Sequence, residues 1–197
     1  MSTTQPIKNP ATLNTFKQYY SVQKPNERNT ALIILGLNTA LRISDILHLK
    51  WKDVYDETLY KIRDHLEVKE KKTGKTNIIA LNASLSAALS HYKEWFFSDN
   101  IYNGERFLFE GQHEDAGRPL CRSQAYRIIK EAAVAAGLAD HVSCHSLRKT
   151  FGYFAWKQGT PPALLMNIYN HSSYQITKKY LCIEQDDKDE VFLKISL

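Results

Sequence analysis

Apolar residues recur along this chain at two periods, first helical, then alternating, then helical again. Leu13, Phe16 and Tyr19/Tyr20 stand at helical spacing behind Asn9-Pro10, an N-cap followed by proline at the first helical position. Asn26 is placed to cap a second helix through ALIILGLNT, which is apolar nearly all round and therefore expected to be buried. A shorter helix, RISDILHL, follows and carries Arg42, with Ile43, Ile46, Leu47 and Leu49 turned to the core. The pattern then changes. HLEVKE and TNIIAL read as two strands, joined by KKTGK around Gly74. Helical spacing returns over 84–97, where Leu85, Leu89, Tyr92 and Phe96 share a face, and RFLFEG is a short apolar segment ending at Gly111. Ser123 is expected to cap a helix through Ala136, stopped by Gly137, and Ser143 to cap another through Lys157, ended by Gly159. Thr160-Pro161-Pro162 opens the next helix, Ser172/Ser173 open a short one carrying Tyr180, and an amphipathic stretch, DKDEVFLKIS, closes the chain. Residues 1–8 read as a flexible lead. The sum is one mainly α domain with a small antiparallel β-sheet on one side, an α+β fold without repeats or linker-like stretches.

Composition narrows the setting. A chain of 197 residues with 43% apolar content is long enough for one domain with its own core. The net charge of +5 suits a polyanionic partner. No apolar run approaches the ~20 residues of a membrane span, and MSTTQPIKNP lacks the apolar stretch of a signal peptide. Cys121, Cys144 and Cys182 are odd in number and scattered, which fits a reducing compartment. A cytoplasmic, nucleoid-associated protein is the expectation. His141, Cys144 and His145 lie close in sequence, but the tight cysteine pairs usual for zinc do not occur. No metal and no cofactor is expected.

Arg42, Lys72, His145 with Arg148, His171 and Tyr180 then form a kit for attacking a phosphodiester without a metal. Guanidinium groups stay charged and can neutralise a pentavalent phosphate. The lysine and histidines can move protons, and the tyrosine can be the nucleophile. His145 and Arg148 lie one helical turn apart and project from one face. Each is ordinary alone. Arg42 with Asp45 also reads as a surface pair at i,i+3 spacing, Lys72 sits in a run with Lys69, Lys71 and Lys75, and Tyr180 is one of eleven tyrosines, most of which must be packing. The order and separation of the whole set are what single them out.

TALRISDILHLKW resembles the first signature of the tyrosine recombinase (phage integrase) family, and HSLRKTFGYFAWKQG resembles the second. NHSSYQITKKYL resembles its end, with the tyrosine nine residues after the histidine, and KKTGK matches the family's lysine-bearing β-turn. The resemblance covers roughly residues 10–185 and implies a catalytic domain over 9–185. It implies that Arg42 and Arg148 clamp the scissile phosphate and that Asp45 orients the site from behind. Lys72 would be the general acid, with Lys71 and Lys75 as runners-up. His145 would accept the tyrosine proton or hold the phosphate, His171 would donate a hydrogen bond to it, and Tyr180 would be the nucleophile ahead of Tyr174 and Tyr169. Lys71, Lys75 and Lys149 would contact DNA. Asn170 stands where the family usually has glycine, and asparagine tolerates the left-handed backbone such a turn needs.

The implied partners are double-stranded DNA and three further copies of the chain, giving a homotetramer on DNA, with a monomer in its absence. The implied reaction is site-specific recombination through a 3′-phosphotyrosine. Most of the family adds an N-terminal core-binding domain; the small fimbrial-switch invertases lack it, and this chain resembles them or a fragment of a longer integrase. The tail 186–197 carries Val191, Phe192, Ile195 and Leu197 on an apolar stripe, expected to dock on a neighbouring protomer or on its own domain. A non-catalytic DNA-binding protein of this fold and a type IB topoisomerase are the alternatives.

Overall fold

The computed structural model describes residues 4–69, 74–99, 101–111, 117–138 and 141–195. Its elements follow the chain as α1 (Pro10–Gln18), a π-helical turn (Tyr19–Gln23), α2 (Glu27–Thr39), α3 (Ile43–Ile46) and α4 (Trp51–Val54). Strands β1 (Tyr55–Asp56), β2 (Lys61–Ile62), β3 (His65–Lys69) and β4 (Thr76–Ala80) come next. Helices α5 (Ala83–Phe96), α6 (Arg122–Ala135), α7 (Cys144–Lys157), α8 (Pro162–Tyr169), α9 (Tyr174–Leu181) and α10 (Gln185–Lys194) complete it. The mainly α fold with small antiparallel sheets is thus the one the pattern implied.

Helix α2 is the axis. Asn26 caps it by accepting from the Asn29 amide at 3.0 Å. Its residues from Ala31 through Leu37 are buried apart from Ile34, and α5 and α7 pack along it. Gly36 permits the α7 approach: a Cβ there would come within 2.5 Å of Leu147 Cδ1. Burying side chains such as Leu32, Leu35, Leu85 and Leu89 contributes roughly 2 kcal/mol each. At the far end Trp51 is buried against Tyr92, Phe96 and Phe97, with ring centroids 5.2–5.4 Å away. The π-helical turn has its own reason. It lets the consecutive Tyr19 and Tyr20 both donate to Glu131 on α6, at 3.1 and 2.7 Å, beside Lys24 at 2.5 Å.

Four local expectations are corrected. Arg42 is not inside a helix but is the N-cap of α3, in extended backbone. Helix α6 starts earlier than Ser123, because Cys121 takes the cap and its amide donates to Gln124 Oε1 at 2.8 Å. A second, two-residue antiparallel pairing, β1 with β2, precedes the expected hairpin. Most consequential, the described part of the lead is packed along α7. The Gln5 amide donates to the His141 carbonyl at 2.8 Å and the Ile7 amide to Thr150 Oγ1 at 2.9 Å, while Ile7 is buried.

The expected hairpin is present as β3 and β4, paired from His65↔Ala80 to Lys69↔Thr76. Leu66 and Val68 turn inward. Lys71 and Lys72 lie outside the described residues.

Candidate active site

The site is built where α7, α8 and α9 converge on the end of α2. These elements share a small core of Ala40, Tyr169 and Leu181, with Phe151, Ile168, Tyr180 and Ile183 packed against it. Ser143 sits in extended backbone as the N-cap of α7, which presents His145, Arg148 and Lys149 in its first turns. Helix α2 ends on Ala40 in the left-handed region (φ 53°), and Arg148 Nη1 donates to its carbonyl. Arg148 is buried, and its guanidinium lies 4.6 Å over the Tyr169 ring. Tyr169 Oη in turn donates to the Arg148 carbonyl at 2.7 Å, so side chain and backbone of this arginine are held by one partner. A buried, fixed guanidinium is already organised for an anion and needs little rearrangement to meet one.

Asn170 ends α8 in the left-handed conformation (φ 54°, ψ 43°), so asparagine does fill the turn that glycine usually fills. The turn delivers His171, whose ring stacks 5.6 Å from Tyr169 and meets Tyr180 edge-on at 5.3 Å. His171 Nδ1 is 3.1 Å from Thr177 Oγ1, which leaves Nε2 for an incoming group. Ser173 caps α9 through the Ile176 amide at 3.3 Å, and α9 carries Tyr180 to a half-buried position 5.4 Å from Tyr169. The three rings therefore form a triangle with sides of 5.3–5.6 Å, and the Arg148 guanidinium lies over its Tyr169 corner.

Electrostatics tie in the remaining members. Burial pushes the Tyr180 phenol up; against this act the nearby positive charges of Arg148 and Arg42. Loss of hydration lowers the pKa of His171, helped by Arg148 and Arg42. The same effect lowers His145, helped by Arg122, Lys149, Arg148 and Arg42. Both imidazoles are thereby biased to the neutral form, the form that can accept a proton. Arg42, His145, Arg148, His171 and Tyr180 are thus brought within one electrostatic neighbourhood. Asp45 is buried, its amide donating to the Arg42 carbonyl at 2.9 Å, on a cavity of about 230 Å³ that also meets Asp53, Glu67 and Lys69.

The hairpin closes one side. Lys75 Nζ donates to Asn170 Oδ1 at 3.0 Å, and a groove of about 640 Å³ runs between Lys75–Asn77 and the Asn170–Ser172 turn. Lys149 is different. Expected at a DNA-facing surface, it is buried at 4% exposure, with its ammonium 2.5 Å from the Thr4 carbonyl and 5.3 Å from the centre of the Tyr180 ring. Tyr169, expected only as an alternative nucleophile, is buried and serves as the floor of the site. Nothing in the spacing reveals these two roles; they arise from contacts between α7, α8 and the first residues of the chain.

Residues 9–186 match the model of the phage integrase family. The chain belongs to that family. It is a tyrosine-type recombinase/integrase by class. Over 186 residues it is 39% identical to a probable integrase/recombinase, YoeC, of Bacillus subtilis (strain 168), spanning 94% of this chain and 93% of that protein. It is 26% identical over 160 residues to the type 1 fimbriae regulatory protein FimE of Escherichia coli (strain K12), spanning 78% and 73%. The fold matches the crystal structure of XerA recombinase with a TM-score of 0.76 at 20% identity, over 98% of this chain and 67% of that one. Against the tyrosine recombinases of Agathobacter rectalis and Pyrococcus furiosus (XerA), the chain spans only about half the relative's length, 53% and 51%. No helix among the described residues is long and apolar enough to cross a membrane.

Proposed function

We propose that this chain performs site-specific recombination of double-stranded DNA, cleaving and rejoining strands through Tyr180. The observation that carries the reading is that Tyr180 stands 5.4 Å from Tyr169, the ring that lies 4.6 Å under the Arg148 guanidinium, and meets the His171 ring edge-on at 5.3 Å, with the charges of Arg148 and Arg42 acting on its phenol. In this scheme the phenolic oxygen forms a bond to phosphorus and the bond from phosphorus to the 5′ oxygen breaks. The product is a 3′-phosphotyrosine and a free 5′-hydroxyl. His145, biased to its neutral form, takes the phenol proton, and Lys72 gives one to the leaving oxygen. Arg42 and Arg148 neutralise the charge that builds on the non-bridging oxygens. Asp45 holds the Arg42 region from behind, and Lys71 and Lys75 contact DNA from the hairpin. A 5′-hydroxyl from a partner strand reverses the step, so bond energy is conserved. Four protomers on DNA, linked by their tails, complete strand exchange, and the catalytic domain is the segment 9–185. Such a protein works in the cytoplasm, on the nucleoid.

The test is a nicked suicide substrate, which traps covalent protein–DNA adduct. Tyr180→Phe keeps the ring packing and removes only the nucleophile, so the adduct should vanish while DNA binding stays within a few-fold. A full-strength adduct in that variant would move the role to Tyr174 or Tyr169. Absence of any adduct in the unaltered protein supports a non-catalytic DNA-binding role. Relaxation of supercoils without recombination supports type IB topoisomerase activity.

A further inference from the structure

We propose that Lys149 is a positioning residue for Tyr180, set in place by the N-terminal segment. The proposal rests on Tyr180 being the nucleophile. Lys149 follows Arg148 on α7, and consecutive helical residues point roughly 100° apart. The two cations therefore meet the aromatic floor at different rings: the Arg148 guanidinium lies 4.6 Å over Tyr169, and Lys149 Nζ lies 5.3 Å from the centre of the Tyr180 ring. The same ammonium is 3.7 Å from Cys182 Sγ, on the residue whose left-handed backbone (φ 54°) ends α9. It thus touches the ring and the turn that follows it, the two features that set how far α9 is rotated.

A buried ammonium is costly unless its surroundings compensate it. Among the described residues Lys149 makes no ion pair with a carboxylate. Its compensation comes from the ring face, strengthened by desolvation, from the thiol, and from the Thr4 carbonyl at 2.5 Å. That carbonyl belongs to a strap fixed by the Gln5 amide on His141 and the Ile7 amide on Thr150, and continued by Lys8, which reaches Asp187 of α10 at 2.8 Å. The strap places the Thr4 carbonyl, the carbonyl places the ammonium, and the ammonium places the tyrosine. Anything that pulls the first residues off α7 would therefore alter cleavage without touching the phosphate clamp.

The experiment uses the full chain and the nicked substrate, with single-turnover cleavage, DNA affinity and thermal unfolding measured side by side. Lys149→Met keeps length and loses charge. It should slow cleavage at least about 10-fold with affinity within about 3-fold, since a misplacement of ~1 Å can cost about 10²-fold in rate. Gln5→Pro removes the amide that anchors the strap on His141. It should slow cleavage in the unaltered background and have no added effect in the Lys149→Met background, because coupled sites are not additive. Unchanged cleavage in Lys149→Met, or additive losses in the double variant, overturns the proposal. Should Lys149→Met fail to fold, unchanged cleavage in Gln5→Pro overturns it alone. The control Tyr180→Phe separates the two readings: an adduct that survives it defeats the nucleophile assignment, whereas its loss beside a fast Lys149→Met defeats only the role of Lys149.

Discussion

Gly152 lies directly against Tyr169: a Cβ on the glycine would stand 2.4 Å from the phenolic oxygen and 2.8 Å from the ring carbon that bears it. That contact seats α8 on α7 and lets Tyr169 reach the Arg148 carbonyl. Gly152→Ala must push the ring away. The rearrangement should cost about 1–3 kcal/mol, the usual range for overpacking a core, and should displace the aromatic floor under Arg148. Chemical denaturation measures the first effect and adduct formation the second. A variant with unaltered stability and cleavage would show that the α7–α8 contact has slack.

The fold was largely legible because its signals are local. Asn9, Asn26, Ser143 and Ser173 each occupy an N-cap, and the alternation of Leu66 and Val68 against polar neighbours gave the hairpin. The arginines, histidines and tyrosine could be picked out only as an ordered set, since no local pattern distinguishes Tyr180 from ten other tyrosines. What stayed hidden depends on distant contacts. The strap could not be foreseen, because Gln5 finds His141 and Ile7 finds Thr150 across more than 130 residues of chain. Lys149 reads as one more surface cation until its burial is known.

Removing either arginine should be severe. Arg42→Ala and Arg148→Ala are each expected to lower single-turnover cleavage by at least about 10², the cost typical of losing one transition-state charge partner. In the proposed mechanism these groups supply positive charge to the phosphate, so cleavage should persist in excess EDTA. Activity lost to chelation and restored by Mg²⁺ would count against the arginine clamp.

The acid side of the pH profile follows from the histidines. Both His145 and His171 are lowered from the ordinary imidazole pKa of about 6.5, chiefly through loss of hydration. In the unfolded chain they protonate first, so they add stability above pH 6.5 that is lost as pH falls through their folded values. In the proposed mechanism, neutral His145 is also the form that accepts the phenol proton. The acid limb of the second-order cleavage rate should therefore lie below pH 6.5, as that rate reports the free protein. His145→Gln should flatten it. An acid limb above pH 6.5 would mean that another group is being titrated.

The chain's end combines an anchor with an exposed apolar surface. Asp187 is buried, accepting from Tyr153 Oη at 2.7 Å and Lys8 Nζ at 2.8 Å, and these contacts hold the start of α10 on its own domain. The last turns differ: Val191, Phe192, Leu193 and Ile195 are exposed, Leu193 at 87%. An apolar end of this kind gains from a groove on another molecule. A groove of about 610 Å³ between α1, α2, α7 and α8, lined in part by Leu13, Ile34, Leu37, Phe151 and Phe154, offers matching chemistry on a second copy. Deleting residues 190–197 leaves Asp187 and its partners in place, so the monomer should keep its thermal stability. Assembly on DNA, followed by native gel or light scattering, should weaken, and recombination should fall more than single-strand cleavage does. If the shortened protein assembles and recombines like the full chain, the tail does not join protomers, and its apolar residues have some other use.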